Sequence, residues 1–234
     1  MDKGNQSNRH HCCHIKGDVL IDLSLGSMVH HLYAASDFFK HIIVLKLSRA
    51  AERIQLDARL LGRASGIPGA VSVRHTGCAG NERRRRADTE NGLSDELQDK
   101  EGKVRSAVQH VVKCDLQKEN MTDPIVLPPA DCIISFWLLE AVSKDQEDYI
   151  RYLRKFSGLR KPGGHLILFG GLDITYYTVG KDRIRALGYN EEFVRKALAG
   201  EGFVIDNCNI KKRTNTSDLT DYKGMIFIAA HREK

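Results

Sequence analysis

One stretch, residues 127–171, restricts the fold of this chain more than any other. Two prolines, Pro128 and Pro129, precede a short apolar run at 131–135. Residues 148–159 then place apolar side chains at helical spacing. Lys161, Pro162, Gly163 and Gly164 have the composition of a turn, and 165–169 reads as a second buried strand. A strand followed by a helix and another strand of this size closes only as a parallel crossover.

The start of the chain follows the same logic. Residues 18–23 read as a buried strand, and Ser24, Leu25, Gly26 and Ser27 as a turn. Val29, Leu32 and Tyr33 recur at helical spacing, and 42–45 is a second strand. Two such units predict an α/β fold with a doubly wound, mostly parallel sheet and helices on both faces. A further helix is expected over 97–112, with Val104, Ala107, Val108 and Val111 on one face, and a short strand end at 113–116. Another is expected over 191–201, with Asn190 as its N-cap and Gly202 as its stop. Strands at 203–210 and 225–230, joined by the polar stretch 211–223, would close the fold as a long hairpin.

Composition narrows the function. The chain has 234 residues, enough for one sizeable core, here expected over 17–234 behind a polar, disordered start at 1–16. Residues 49–86 hold nine arginines and no lysine, and 49–100 reads as a diverged or irregular segment. The longest apolar runs are too short to span a bilayer, and no secretory signal is visible, so a cytoplasmic protein without membrane contact is expected. Six irregularly spaced cysteines (Cys12, Cys13, Cys78, Cys114, Cys132, Cys208) argue for reduced thiols rather than a disulfide framework. His10, His11, Cys12, Cys13 and His14 are adjacent, which does not reproduce the ligand spacing of a structural zinc site, so no metal is expected. The basic run Arg83 to Arg86 lacks interleaved aromatics and reads as a solvated loop, so no nucleic-acid partner is expected despite a net charge of +6.

Five motifs, in order, carry a family resemblance. They are GDVLIDLSLGS at 17–27, KCDL at 113–116, VLPPADCIIS at 126–135, LRKPGGHLILFG at 159–170 and TYYTVGK at 175–181. Together they resemble the nicotinamide, indolethylamine and phenylethanolamine N-methyltransferase family, most of all its nicotinamide/indolethylamine branch. The resemblance is good from about Val104 onward, fair over 17–44 and poor between. It implies a class I methyltransferase fold, with a seven-stranded, mostly parallel sheet and a reversed final strand. It also implies S-adenosylmethionine (AdoMet) as cofactor, a small amine or pyridine-type acceptor, and a monomer.

The resemblance further implies a set of site residues. Ser24 and Gly26 stand in the first-strand loop, and Cys114, Asp115 and Leu116 match the adenine-side motif. Tyr177 matches a tyrosine that lines the acceptor pocket. The catalytic residues are left open, since most of the acceleration of transfer from a sulfonium to nitrogen can come from alignment. Asp115 also reads as an exposed loop residue, Gly26 as a turn residue and Tyr177 as core packing beside Tyr176. Gly163 and Gly164 shape a turn away from the cofactor edge.

The chain departs from the family pattern at several points. The acidic residue expected at the end of the second strand is Lys46, which accepts no hydrogen bond from a ribose. Ala51 replaces an asparagine, Phe136 a threonine, and Gly170 a carboxylate for which Asp173 would have to substitute. Ile174 and Ala186 occupy two small polar positions, and Glu140 matches an acidic one that also reads as a helix-start carboxylate. No tyrosine precedes Gly17, so the family's tyrosine-bearing arm is expected to be absent or replaced. These departures leave two readings open: an AdoMet-dependent N-methyltransferase, or a catalytically inactive or truncated protein of that fold. A dinucleotide-binding oxidoreductase ranks lower, because the loop has no G-x-G-x-x-G.

Overall fold

The computed structural model describes residues 15–25, 30–47, 90–214 and 217–233. Nine strands and five helices are named within them. β1 (Gly17–Asp22), β2 (Phe39–Leu47), β3 (Val108–Cys114), β4 (Ala130–Phe136), β5 (Arg160–Leu172), β8 (Phe203–Lys212) and β9 (Gly224–Arg232) form a seven-stranded sheet. Its order is β3-β2-β1-β4-β5-β9-β8. β1, β4 and β5 run parallel, as do β2 and β3, while β9 is antiparallel to both β5 and β8. This is the expected α/β class I methyltransferase sheet, including its reversed final strand. β6 (Tyr176–Val179) and β7 (Asp182–Arg185) make a separate two-stranded hairpin.

The chain divides into two compact units. The first contains β1, β4 to β9, and the helices α3 (Leu139–Val142), α4 (Gln146–Ser157) and α5 (Glu191–Gly200). Helix α4 buries Tyr149, Tyr152, Leu153 and Phe156, and α5 buries Val194, Ala197 and Leu198. These residues share the core with Ile133, Leu166, Leu168, Ile226 and Ile228 of the strands. The ends of both helices follow from sequence. Asp145 caps α4 by accepting the Asp148 N–H (2.8 Å), and Asn190 caps α5 by accepting the Phe193 N–H (2.9 Å). Gly202, at φ +76°, turns the chain out of α5 as expected.

The start of this unit is tied at the amino ends of three strands. Asp131 of β4 accepts the N–H groups of Asp18 (2.8 Å) and Val19 (2.9 Å) in β1. It also pairs with Lys161 of β5 at 2.7 Å.

The second unit holds α1 (His30–Ala35), β2, α2 (Glu90–Ala107) and β3, with Leu32, Ile42, Val44, Val104 and Val112 in its core. The helix expected over 97–112 ends at Ala107. Val108 to Val112 belong instead to β3, which pairs with β2 from Ile42↔Val108 onward. The β-branched side chains, stiff at χ1 and packed beside β2, decide this stretch against the helical spacing.

The turn expected at 161–164 lies within β5. Ala130 pairs with Arg160 and Cys132 with His165, so those four residues bulge out of the ladder without ending the strand. No helix among the described residues is long and apolar enough to cross a membrane. Residues 1–14 and 48–89, with Cys12, Cys13, Cys78, Ala51 and Arg83 to Arg86, lie outside the described residues.

Candidate functional site

In open α/β sheets ligands bind beyond the carboxyl ends of the strands. In the first unit, β1 ends on Asp22, which is fully buried and accepts the Ser24 hydroxyl at 2.5 Å. Leu25 N–H donates to the Phe136 carbonyl (2.8 Å) and Ser135 Oγ to the Leu23 carbonyl (3.4 Å), which clamps the loop to β4. Ser24 is buried at the start of this loop, where the sequence placed it. Gly26 and Ser27 lie outside the described residues. Asp22 went unremarked in the sequence, although an acid closing an apolar strand is a legible signal.

In the second unit, Cys114 ends β3 and is buried. Burial pushes its thiol up to about 12, against the pull of the Lys46 ammonium. The thiol is therefore inert packing and not a nucleophile. Asp115 begins the loop beyond, where its Oδ1 accepts the Gln117 N–H (3.0 Å) and its own N–H donates to the Met121 carbonyl (2.8 Å). Leu116 is buried beside it. Asp115 is thus an anchored, partly exposed turn residue, suited to accept a hydrogen bond from an adenine amine. Lys46, 8% exposed, stands near the end of β2 opposite Lys113. Its ammonium offers donors only. Within the second unit, the carboxylate of Asp115 fits the chemistry of an adenine amine, whereas Lys46 does not fit a ribose diol.

The other candidate corner lies at the carboxyl ends of β4 and β5, entirely within the first unit. Trp137 follows β4 with φ +57°, a left-handed conformation that is costly for a bulky residue. Its N–H donates to the Phe169 carbonyl (2.8 Å). The ring stands edge-on to Phe169 (5.4 Å) and Tyr222 (5.5 Å). Tyr177 and Met225 join Trp137 around the buried cluster of Ile174, Ala186 and Tyr222. Tyr177 is half-buried, and burial raises its hydroxyl above the ordinary range. It shares this packing with Tyr222 and not with Tyr176, whose ring lies under the Arg183 guanidinium (3.9 Å).

Glu140 lies beneath this corner. It lies in the first turn of α3, but it is 3% exposed and is not a solvated helix-start carboxylate. Its Oε1 accepts the Gly171 N–H at 2.9 Å. Burial raises the carboxyl to about 7, against the N–H groups of Glu140 itself and Gly171. The absence of a side chain at 170 makes this possible. A Cβ on Gly170 would lie 2.3 Å from the Tyr189 hydroxyl oxygen and 2.6 Å from Glu140 Oε1. Gly171 is crowded in the same way, with Trp137 Cζ3 at 2.7 Å from the equivalent point.

Asp173 does not substitute for the carboxylate expected at 170. It is exposed at φ +51°, and its N–H is spent on the Tyr189 carbonyl (2.9 Å). The β6–β7 hairpin is held by Asp221, which accepts the N–H groups of Thr175 (2.8 Å) and Tyr176 (3.1 Å) and the Thr175 hydroxyl. Tyr189 and Asp221 were not singled out from sequence, because each acts through partners remote along the chain.

Comparison with known proteins accords with this geometry. Residues 83–233 match the NNMT/PNMT/TEMT family. The chain is 29% identical to human nicotinamide N-methyltransferase over 93% of its own length and 78% of that protein's. It is 30% identical to human phenylethanolamine N-methyltransferase, covering 93% and 74%. Among solved structures it resembles a SAM-dependent methyltransferase from Methanosarcina mazei (TM-score 0.56, 14% identity, 93% of each chain). It also resembles the N-methyltransferase NodS from Bradyrhizobium japonicum, solved with S-adenosyl-L-homocysteine (TM-score 0.51, 10% identity, 94% and 80%). Five ordered motifs, a seven-stranded sheet reversed at its end and a match over most of the chain converge on one conclusion: this chain belongs to the NNMT/PNMT/TEMT family of AdoMet-dependent methyltransferases.

Proposed function

We propose that this chain methylates the nitrogen of a small amine or pyridine-type acceptor seated at the carboxyl ends of β4 and β5. The observation that carries this reading is the aromatic corner of Trp137, Phe169, Tyr177 and Tyr222 above the buried Glu140. Flat apolar walls with a single polar group beneath suit a small, mostly apolar amine or heterocycle. AdoMet supplies an activated methyl on a sulfonium. Asp115 and Leu116 would hold its adenine, and Ser24 and Gly26 would stand by its methionine end.

The chain's own work is alignment and exclusion of water, which suffices because the reacting nitrogen attacks as a free base. Tyr177 would wall the acceptor pocket, and Asp221 fixes the hairpin that carries it. We place the protein in the cytoplasm as a monomer.

One observation favours the second reading, a catalytically inactive relative: the buried Lys46 where a ribose calls for an acceptor. Calorimetric titration with AdoMet, followed by methyl transfer to nicotinamide, tryptamine and phenylethanolamine, separates the two. Binding with turnover of any acceptor supports the enzyme. Binding without turnover supports the inactive relative, and no heat at millimolar AdoMet overturns the cofactor role.

A further inference from the structure

We propose that His165 of β5 and His231 of β9 form a binding site for one divalent transition-metal ion of the zinc class, with Asp206 of β8 orienting His231. The two histidines are direct partners in the antiparallel ladder of β5 and β9. Residues directly opposite across such a ladder send their side chains to the same face. The ring centroids stand 6.1 Å apart, with the planes inclined at 47°. Two imidazoles that ligate one zinc ion through Zn–N bonds of about 2.0–2.1 Å hold their centroids roughly 5–6.5 Å apart. The observed separation lies inside that range. Spacing along the chain does not reveal the pair, because only the register of the sheet brings it together.

The contact with Asp206 settles which nitrogen of His231 is offered. His231 Nδ1 lies 2.7 Å from Asp206 Oδ1. A carboxylate only accepts, so Nδ1 carries the proton and the neutral ring keeps its lone pair on Nε2. A carboxylate behind an imidazole in this way is the common outer partner of a metal-ligating histidine, fixing its tautomer and raising its basicity. A break in the β8–β9 register puts Asp206 in place. Ile205 pairs with Ala230 and Asn207 with Ala229, so Asp206 is the extra residue of a bulge. Bulges re-aim a side chain in this manner.

His165 completes the pair. Among the described residues, no hydrogen bond engages its ring. Burial holds its imidazole below the ordinary range, with His231 acting the same way and Asp206 against it. The neutral ring that this favours is the form a metal takes. Both histidines remain partly exposed, so a hydrated ion can reach them. Arg232, next along β9, alternates to the opposite face, where its guanidinium lies by Gly202.

Imidazole ligands suit zinc, copper and nickel. Among the described residues, no group of three or more His, Cys, Asp or Glu could hold a metal ion. The site therefore has two protein ligands, and water fills the remaining positions. An ion held there would fasten β5 to the reversed strand β9. The pair lies toward the amino end of β5, away from the acceptor corner, and its test needs neither AdoMet nor an acceptor.

That test is thermal melting of the full-length chain, stripped with EDTA, dialysed and titrated with zinc chloride. Zinc at about 100 μM is expected to raise the wild-type midpoint by about 2–4 °C. H165Q and H231Q should each abolish the rise, and if one of them fails to fold the other carries the same test. D206N keeps both ligands but loses the orienting carboxylate, so the zinc concentration giving half the rise should increase about 10–100-fold. His10, His11, Cys12, Cys13 and His14 are intact in every variant, so zinc bound there cannot mimic the pattern. A wild-type midpoint unmoved by zinc overturns the proposal. So does a rise that survives in H165Q or H231Q, or a D206N titration that matches wild type.

Discussion

Gly170→Ala adds one carbon to a crowded glycine of the first unit. The new Cβ would meet the Tyr189 hydroxyl at 2.3 Å and Glu140 Oε1 at 2.6 Å, both well inside contact distance. Neither neighbour can retreat freely. Tyr189 is wedged between Tyr149 and Phe193, and Glu140 is fixed by the Gly171 N–H. Overpacking of this kind costs about 1–3 kcal/mol. Displacing Glu140 from its buried donor adds about 1–3 kcal/mol. The two overlap, so a loss of about 2–4 kcal/mol is expected.

Urea denaturation at neutral pH, with wild type beside the variant, measures it. Gly102→Ala is the control, since nothing lies within 4 Å of its added carbon in exposed α2. There the gain in helix propensity should stabilise by up to about 1 kcal/mol. A Gly170→Ala variant within about 0.5 kcal/mol of wild type, the scatter of an ordinary surface change, would refute the crowding argument.

Two further outcomes depend on pH. Glu140 is raised from 4.5 to about 7 in the folded chain, so the unfolded chain releases this proton first as pH rises. Stability should fall across that window, by about 3 kcal/mol if the whole shift is expressed, and E140Q should remove this part of the slope. Denaturation midpoints at acid and alkaline ends of the window decide it, and a slope unchanged in E140Q would sink the assignment.

Asp131 has the opposite sign. Burial pushes its carboxyl up, but the Lys161 ammonium and the N–H groups of Val19 and Asp18 outweigh it and hold the group below the usual carboxylate range. Its contribution is present above the unfolded value near 3.8 and lost as pH falls through the lower folded value. D131N should cost about 1–3 kcal/mol at neutral pH and little at strongly acid pH. Equal losses at both ends would contradict the clasp.

The layers of the fold were legible because they follow from local rules. Asn190, Gly202 and the apolar runs of β1, β4 and β5 each specify an element with little help from the rest of the chain. The expectation failed at Val108 to Val112, where valines at helical spacing are claimed by the neighbouring β2. The site was legible in part. Asp115, Leu116 and Tyr177 carry motifs, and Tyr177 lies half-buried against Ile174, Ala186 and Tyr222. Glu140 looked like an exposed helix start because nothing near it in sequence announces burial. Residues brought in from other elements, Gly170, Gly171 and Tyr189 among them, enclose it. Sequence shows residues, whereas the space Glu140 occupies depends on what is missing at 170.

The clasp of Asp131 on Asp18, Val19 and Lys161 has a consequence for how such a chain can vary over time. It binds three parallel strands at their starts, at the end of the sheet opposite to the proposed acceptor corner. Register is thereby set before any strand reaches its carboxyl end. Loops at that far end can be lengthened, shortened or re-lettered without the strands slipping past one another. A chain anchored in this way can vary at the carboxyl ends of its strands while its architecture stays recognisable. The same asymmetry makes the clasp a good place to look for intolerance in a mutational scan, and the opposite rim a good place to look for novelty.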